Sequence, residues 1–143
     1  MTGFLIALLS GALMSIQGVF NTQVTKTTGM WVSNMWANFT AFLTSALLWL
    51  VMGHESITMI SKVEPKYMLL GGVLGAGITW TVIKSMSDLG PAKATLLIVV
   101  AQLAVSYLIE LFGIFQVEKV PFSWQKLGGL ALALIGIYIF QRK

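Results

Sequence analysis

Residues 92–115 read AKATLLIVVAQLAVSYLIELFGIF, and their composition points to a membrane-spanning helix. Its apolar run has the length, about 20 residues, that crosses a roughly 30 Å hydrocarbon core. Only a helix or a closed barrel satisfies its own backbone polar groups in lipid, and a single continuous apolar run points to the helix. Four more segments have the same character, at about 3–23, 31–52, 67–87 and 124–141. Between the third and fourth, Leu89-Gly90-Pro91 supplies a stop and a start, because Gly suits a helix C-terminus and Pro the first turn of the next helix. The fifth is shorter in apolar residues, Leu127 to Phe140, but Ser123 is an N-cap candidate and Lys126 can snorkel to the interface. The first segment lacks the basic leader and the small-residue cleavage site of a signal peptide, so it too is read as a span. Trp31, Trp36 and Trp49 stand where interfacial aromatics would.

Composition agrees with lipid as the solvent. Hydrophobic residues make up 57% of the 143 and charged ones 10%, and the mean hydropathy is +0.85. A soluble domain of this size could not cover its surface with nine Lys/Arg, five Asp/Glu and one His. The expectation is an all-α integral membrane protein of five transmembrane helices, with residues 1–143 forming a single transmembrane domain in the lipid bilayer. The longest loop, Gly53 to Lys66, leaves no room for a catalytic domain, and no internal repeat is apparent. There is no cysteine, which excludes disulfides and thiolate metal sites. The lone His54, beside Glu55, has no partner histidine for zinc, so no metal and no cofactor are expected. The net charge of +4 is scattered between apolar segments rather than gathered in a patch, which argues against nucleic acid. No nucleophile with a base and no phosphate loop appears, so an enzyme is not expected.

Five crossings put the termini on opposite sides of the membrane, and orientation then follows Lys/Arg placement. Lys62, Lys66, Lys119 and Lys126 fall on the N-terminal side, against Lys26, Lys84, Lys93, Arg142 and Lys143 on the other. So even a division gives little electrostatic reason to insert one way, and dual topology is expected. The competing reading is an orientation set by the first helix or by the Arg142-Lys143 pair.

Polar side chains inside apolar segments are costly in lipid and face protein or a water-filled cavity. Gln17 and Asn21 share one face of the first helix. Asn34, Asn38, Ala41 and Ser45 make a small-and-polar stripe on the second, and Thr95, Gln102, Ser106 and Glu110 another on the fourth. Trp80, Lys84 and Asp88 lie on one side of the third, with Lys84 and Asp88 spaced for an i,i+4 ion pair. Amides and hydroxyls also hold membrane helices together, so each stripe has a packing reading beside the cavity reading. Glu110 is the most informative, as an intramembrane carboxylate, with an interfacial glutamate as the alternative. Gly71, Gly72, Gly75 and Gly77 on the third helix, and Gly128, Gly129, Ala133 and Gly136 on the fifth, read as helix-packing or dimer-packing faces.

The run Leu89-Gly90-Pro91-Ala92, then Val117-Glu118-Lys119-Val120-Pro121, then Trp124-Gln125-Lys126-Leu127-Gly128-Gly129 leading into Leu134-Ile135-Gly136-Ile137-Tyr138 resembles the end of a repeat in the drug/metabolite transporter superfamily. The Gln17-to-Asn21 segment, Ile109-Glu110-Leu111-Phe112-Gly113 and the five-helix length resemble its YdcZ-like branch more closely. Ten-helix relatives hold two inverted five-helix repeats, and this chain holds one. It also lacks the first-helix carboxylate of the four-helix small multidrug resistance proteins, so their coupling site does not carry over.

The resemblance implies a half-transporter in the bacterial inner membrane that pairs with a second copy, as an antiparallel homodimer, to rebuild an inverted repeat. The expected function is a small secondary transporter, an exporter of a small organic solute, working by alternating access. Its substrate would bind among Gln17, Asn21, Asn38, Trp80, Gln102, Ser106 and Glu110, with Trp80 placed to cup an organic cation. Glu110 would be the proton- or cation-coupling group of a coupled transporter. In an antiparallel pair, Lys84 of one chain would come to the depth of Glu110 of the other. A small ion channel and an accessory membrane scaffold are the rival readings.

Overall fold

The computed structural model describes residues 1–53 and 55–142; His54, and Lys143 of the terminal basic pair, lie outside the described residues. No strand occurs among them. The chain falls into two compact units, Met1–Asp88 and Leu89–Lys143, and each is described by itself.

The first unit begins with α1, Thr2–Thr28, and α2, Met30–Met52. At about 1.5 Å per residue α1 is roughly 40 Å long, more than the hydrocarbon core needs. It runs five residues past the expected Gln23, because nothing in Val24-Thr25-Lys26-Thr27-Thr28 breaks a helix. Thr25 and Thr28 donate their hydroxyl protons to the carbonyls of Asn21 and Val24 at 2.9 Å each, and Lys26 in the last turn suits the helix C-terminus. A single residue then joins α1 to α2. Gly29 adopts φ 84°, ψ 163°, a region open essentially to glycine alone. Its N–H donates to Thr25 O at 2.9 Å and its carbonyl accepts from Ser33 N at 3.1 Å, so the joint closes one helix and opens the next.

After α2, 3-10 turns at Ile57–Lys62 and Lys66–Leu70 lead into α3, Gly71–Leu89. The third apolar segment, expected to be helical from about Tyr67, thus starts as a 3-10 turn before becoming α-helical. Ile83 and Met86 of α3 are buried. The Met86 thioether lies over Gly18 of α1, where a Cβ would stand 2.6 Å from Met86 Cε and 3.2 Å from Val82 Cγ1. The missing side chain of Gly18 is what admits Met86.

The second unit holds α4, Pro91–Phe112, and α5, Trp124–Gln141, which pack against each other. Gly90 repeats the Gly29 conformation at φ 81°, ψ 158°, with Pro91 at the first helical position. Ala94 N donates to Gly90 O at 3.1 Å, as Ser33 does to Gly29. Four residues beyond each glycine stands a small buried residue, Ser33 and Ala94, both 1% exposed. α4 stops three residues before the expected Phe115, because Gly113 turns left-handed at φ 66° and its N–H caps Ile109 O at 2.9 Å. A 3-10 turn follows at Ile114–Gln116. Ser123 caps α5, its hydroxyl accepting from Lys126 N at 3.5 Å.

Four helical stretches, Thr2–Thr28, Met30–Met52, Lys66–Leu89 and Pro91–Phe112, are long and apolar enough to cross a membrane, and the apolar part of α5 is shorter. Among the described residues the buried apolar side chains are only Ile83 and Met86 in the first unit and Ala94 and Ile137 in the second. Phe4, Leu50, Phe112 and Leu132 are among the many large apolar side chains left exposed. Surface of that kind is matched to acyl chains rather than to water.

Candidate functional site

In the first unit, the small-and-polar faces of α1 and α2 line a groove of about 420 Å³ with Gln17, Asn21, Ala37, Thr40, Ala41, Thr44 and Ser45. The threonine hydroxyls here are turned back on their own helix: Thr40 Oγ1 donates to Trp36 O at 3.0 Å and Thr44 Oγ1 to Thr40 O at 2.8 Å. Their oxygen lone pairs remain available as acceptors. Among the described residues, the side-chain amides of Gln17 and Asn21 make no hydrogen bond, so each offers both a donor and an acceptor to a ligand. The Asn21 backbone is heavily used, its carbonyl accepting from Thr25 Oγ1 at 2.9 Å and from the buried Ser33 Oγ at 2.8 Å. That second bond ties the start of α2 to α1. Gln17 and Asn21 also border an apolar hollow along α1 with Ile6, Leu9, Leu13 and Phe20.

Asn38 does not line this groove. Its Nδ2 donates to Asn34 O at 2.8 Å and to Asn34 Oδ1 at 3.1 Å, one turn back along α2. Trp80 stacks on Trp31, with centroids 6.1 Å apart and planes 23° from parallel, so a neighbouring indole covers one of its faces. Lys84 pairs with Asp88 at 3.0 Å, the i,i+4 geometry.

In the second unit, Leu103, Ser106, Tyr107, Glu110, Lys126, Gly129 and Leu130 line a cavity of about 410 Å³ between α4 and α5. Lys126 Nζ is 2.8 Å from Glu110 Oε2 and 5.3 Å from the centre of the Tyr107 ring. The pairing has a local cause. Glu110 sits in the last turn of α4 and Lys126 in the first turn of α5, where each faces the wrong end of its helix dipole. Each offsets the other's misplaced charge. Tyr107 fixes the cluster, since its hydroxyl accepts from Ser123 N at 2.9 Å and donates to Ser123 O at 3.4 Å. Val120 N donates to Glu110 O at 2.9 Å, pinning the connection to the end of α4.

Gln102 is exposed and does not line the cavity, whereas Ser106 and Glu110 do. Within one chain Lys84 is paired with Asp88 and Glu110 with Lys126. Of Gly128, Gly129, Ala133 and Gly136, only Gly129 borders the cavity, and a Cβ on any of the three glycines would meet nothing within 4 Å. Tyr107 and Lys126 went unread as site residues. Tyr107 could have been found three positions before Glu110, on the same helix face. Thr40 and Thr44, an i,i+4 pair beside the predicted stripe, were missed in the same way. Among the described residues no group of three or more His, Cys, Asp or Glu is placed to hold a metal ion.

A family model described as "Putative inner membrane exporter, YdcZ" matches residues 2–139, while no curated protein and no solved structure matches the chain. The match takes in every helix of both units and joins the lipid-matched surface to a family of that description, so the chain belongs to the YdcZ family of the drug/metabolite transporter type and is a multi-pass protein of the inner membrane.

Proposed function

We propose that the chain is a half-transporter that exports a small organic solute, working as an antiparallel homodimer by alternating access. Residues 1–143 act as one transmembrane domain, with α5 as the fifth crossing. Its 18 residues reach about 27 Å, and Lys126 in its first turn can reach the headgroups. The odd number of crossings and the even division of Lys and Arg support dual topology, and an inverted pair of five-helix units is a recurrent transporter design. The observation that carries the reading is the α1–α2 groove. Two amides without partners, Gln17 and Asn21, face a lining of small and hydroxyl-bearing residues, which is the kind of surface a polar solute needs inside a membrane.

Flux tests this reading. Purified protein screened by thermal shift against small organic cations, anions and neutral solutes identifies a binder, since a ligand of the native state raises apparent stability. In proteoliposomes that solute should move down an imposed gradient, and Gln17→Ala with Asn21→Ala should lower the rate by about tenfold or more while leaving the protein folded. Electrical current without solute flux would favour a channel. Neither current nor flux, for any solute in the panel, would favour a scaffold.

A further inference from the structure

We propose that the α4–α5 cavity is a recognition site for a primary alkylammonium, with Lys126 as its built-in occupant. This deepens the transporter reading, on which it rests only for there being cargo, by adding a cation subsite in the second unit to the α1–α2 groove of the first. The geometry around Lys126 Nζ defines the chemistry. One carboxylate oxygen of Glu110 stands at 2.8 Å, hydrogen-bond distance for a charged N–H donor. The Tyr107 ring lies with its centre at 5.3 Å, within the range at which an aromatic face attracts a cation. Carboxylate and ring together are the two partners that recognise an ammonium carrying N–H protons. Leu103, Leu130 and Gly129 complete the wall, a lining that suits an apolar body attached to that ammonium.

The occupant is held loosely enough to be displaced. The Lys126 and Glu110 side chains are 45% and 41% exposed, and half-exposed ion pairs contribute little net free energy. The side chain of lysine is itself a primary ammonium on a four-carbon stem. An incoming alkylammonium of similar reach therefore exchanges one such cation for another at Glu110, and the freed Lys126 can turn toward the headgroups. Tyr107 stays in place during the exchange because its hydroxyl is anchored on Ser123. Lys126 acts as a tethered competitor that holds the site closed to weak binders and keeps the carboxylate paired when cargo is absent.

The test is equilibrium binding of benzylammonium to the full-length protein in detergent by calorimetry, with benzyl alcohol as the neutral probe of similar shape. Lys126→Met removes the competitor and should tighten benzylammonium binding by about two- to fivefold, the range set by the modest strength of an exposed pair. A gain in affinity cannot come from misfolding. Glu110→Gln should weaken binding by about tenfold or more, and Glu110→Gln with Lys126→Met should be as weak as Glu110→Gln alone. Tyr107→Phe keeps the ring and should retain binding, whereas Tyr107→Leu should weaken it. Benzyl alcohol should bind no better to Lys126→Met than to the unmodified chain. The proposal is overturned if Lys126→Met fails to tighten benzylammonium binding, if the double variant binds as well as Lys126→Met, or if no variant binds the probe. Binding of this pattern without flux would leave the site standing and sink the transporter reading. Flux of another solute, unaffected by Glu110→Gln and with no benzylammonium binding, would sink the site alone.

Discussion

Replacing Gly29 with alanine isolates the torsional cost of the joint between α1 and α2. The residue holds φ 84°, ψ 163°, where a side chain carrying a Cβ is strained by about 1–3 kcal/mol. A Cβ there would meet nothing within 4 Å, so collision adds nothing to that figure. Alanine also restricts the unfolded chain, which returns about 0.4–1 kcal/mol. The expected net loss is about 1–2 kcal/mol. Gly18→Ala has the opposite character, because Gly18 is helical and alanine favours helix by up to about 1 kcal/mol. Its Cβ, however, would stand 2.6 Å from Met86 Cε and 2.7 Å from Met86 Sδ, and overpacking costs about 1–3 kcal/mol. The flexible thioether can relieve part of that. Trimming Met86 to alanine should therefore reduce the cost of Gly18→Ala by about 1 kcal/mol, and leave the cost of Gly29→Ala unchanged. Unfolding in mixed micelles with increasing SDS, followed by far-UV circular dichroism, measures the unmodified chain, the three single variants and the two double variants. If Gly29→Ala is as stable as the unmodified chain, or if its cost shifts with Met86→Ala as much as that of Gly18→Ala does, the torsional reading is refuted.

Ser33→Ala removes the buried bond to Asn21 O but leaves that carbonyl the Thr25 hydroxyl as a donor. The same unfolding assay should show a loss of about 0.5–1 kcal/mol, and Ser33→Val should lose about 1–3 kcal/mol more, because the site is 1% exposed. Reporter fusions at the C-terminus should show both orientations, and two lysines added to one side should select one of them. A single orientation in the unmodified chain would contradict dual topology.

The solvent and the helices were legible in the sequence, because both follow from neighbouring residues. Apolar run length sets whether a segment suits lipid, and cap chemistry acts over one turn, as Gly90-Pro91 and Ser123 do at the starts of α4 and α5. The Lys84–Asp88 pair was legible for the same reason, since four residues apart on a helix means adjacent in space. The ion-pair partner of Glu110 was not. Lys126 lies 16 positions away across a turn, and only the packing of α4 on α5 brings it to 2.8 Å. Asn38 looked from its spacing like a cavity residue, yet its Nδ2 donates to Asn34 one turn back. Trp80 looked available to a ligand until Trp31, from another helix, covered a face of it. A polar residue in an apolar helix announces that it needs a partner, because lipid supplies none. Which partner it takes depends on distances that arise only when helices distant in sequence pack together.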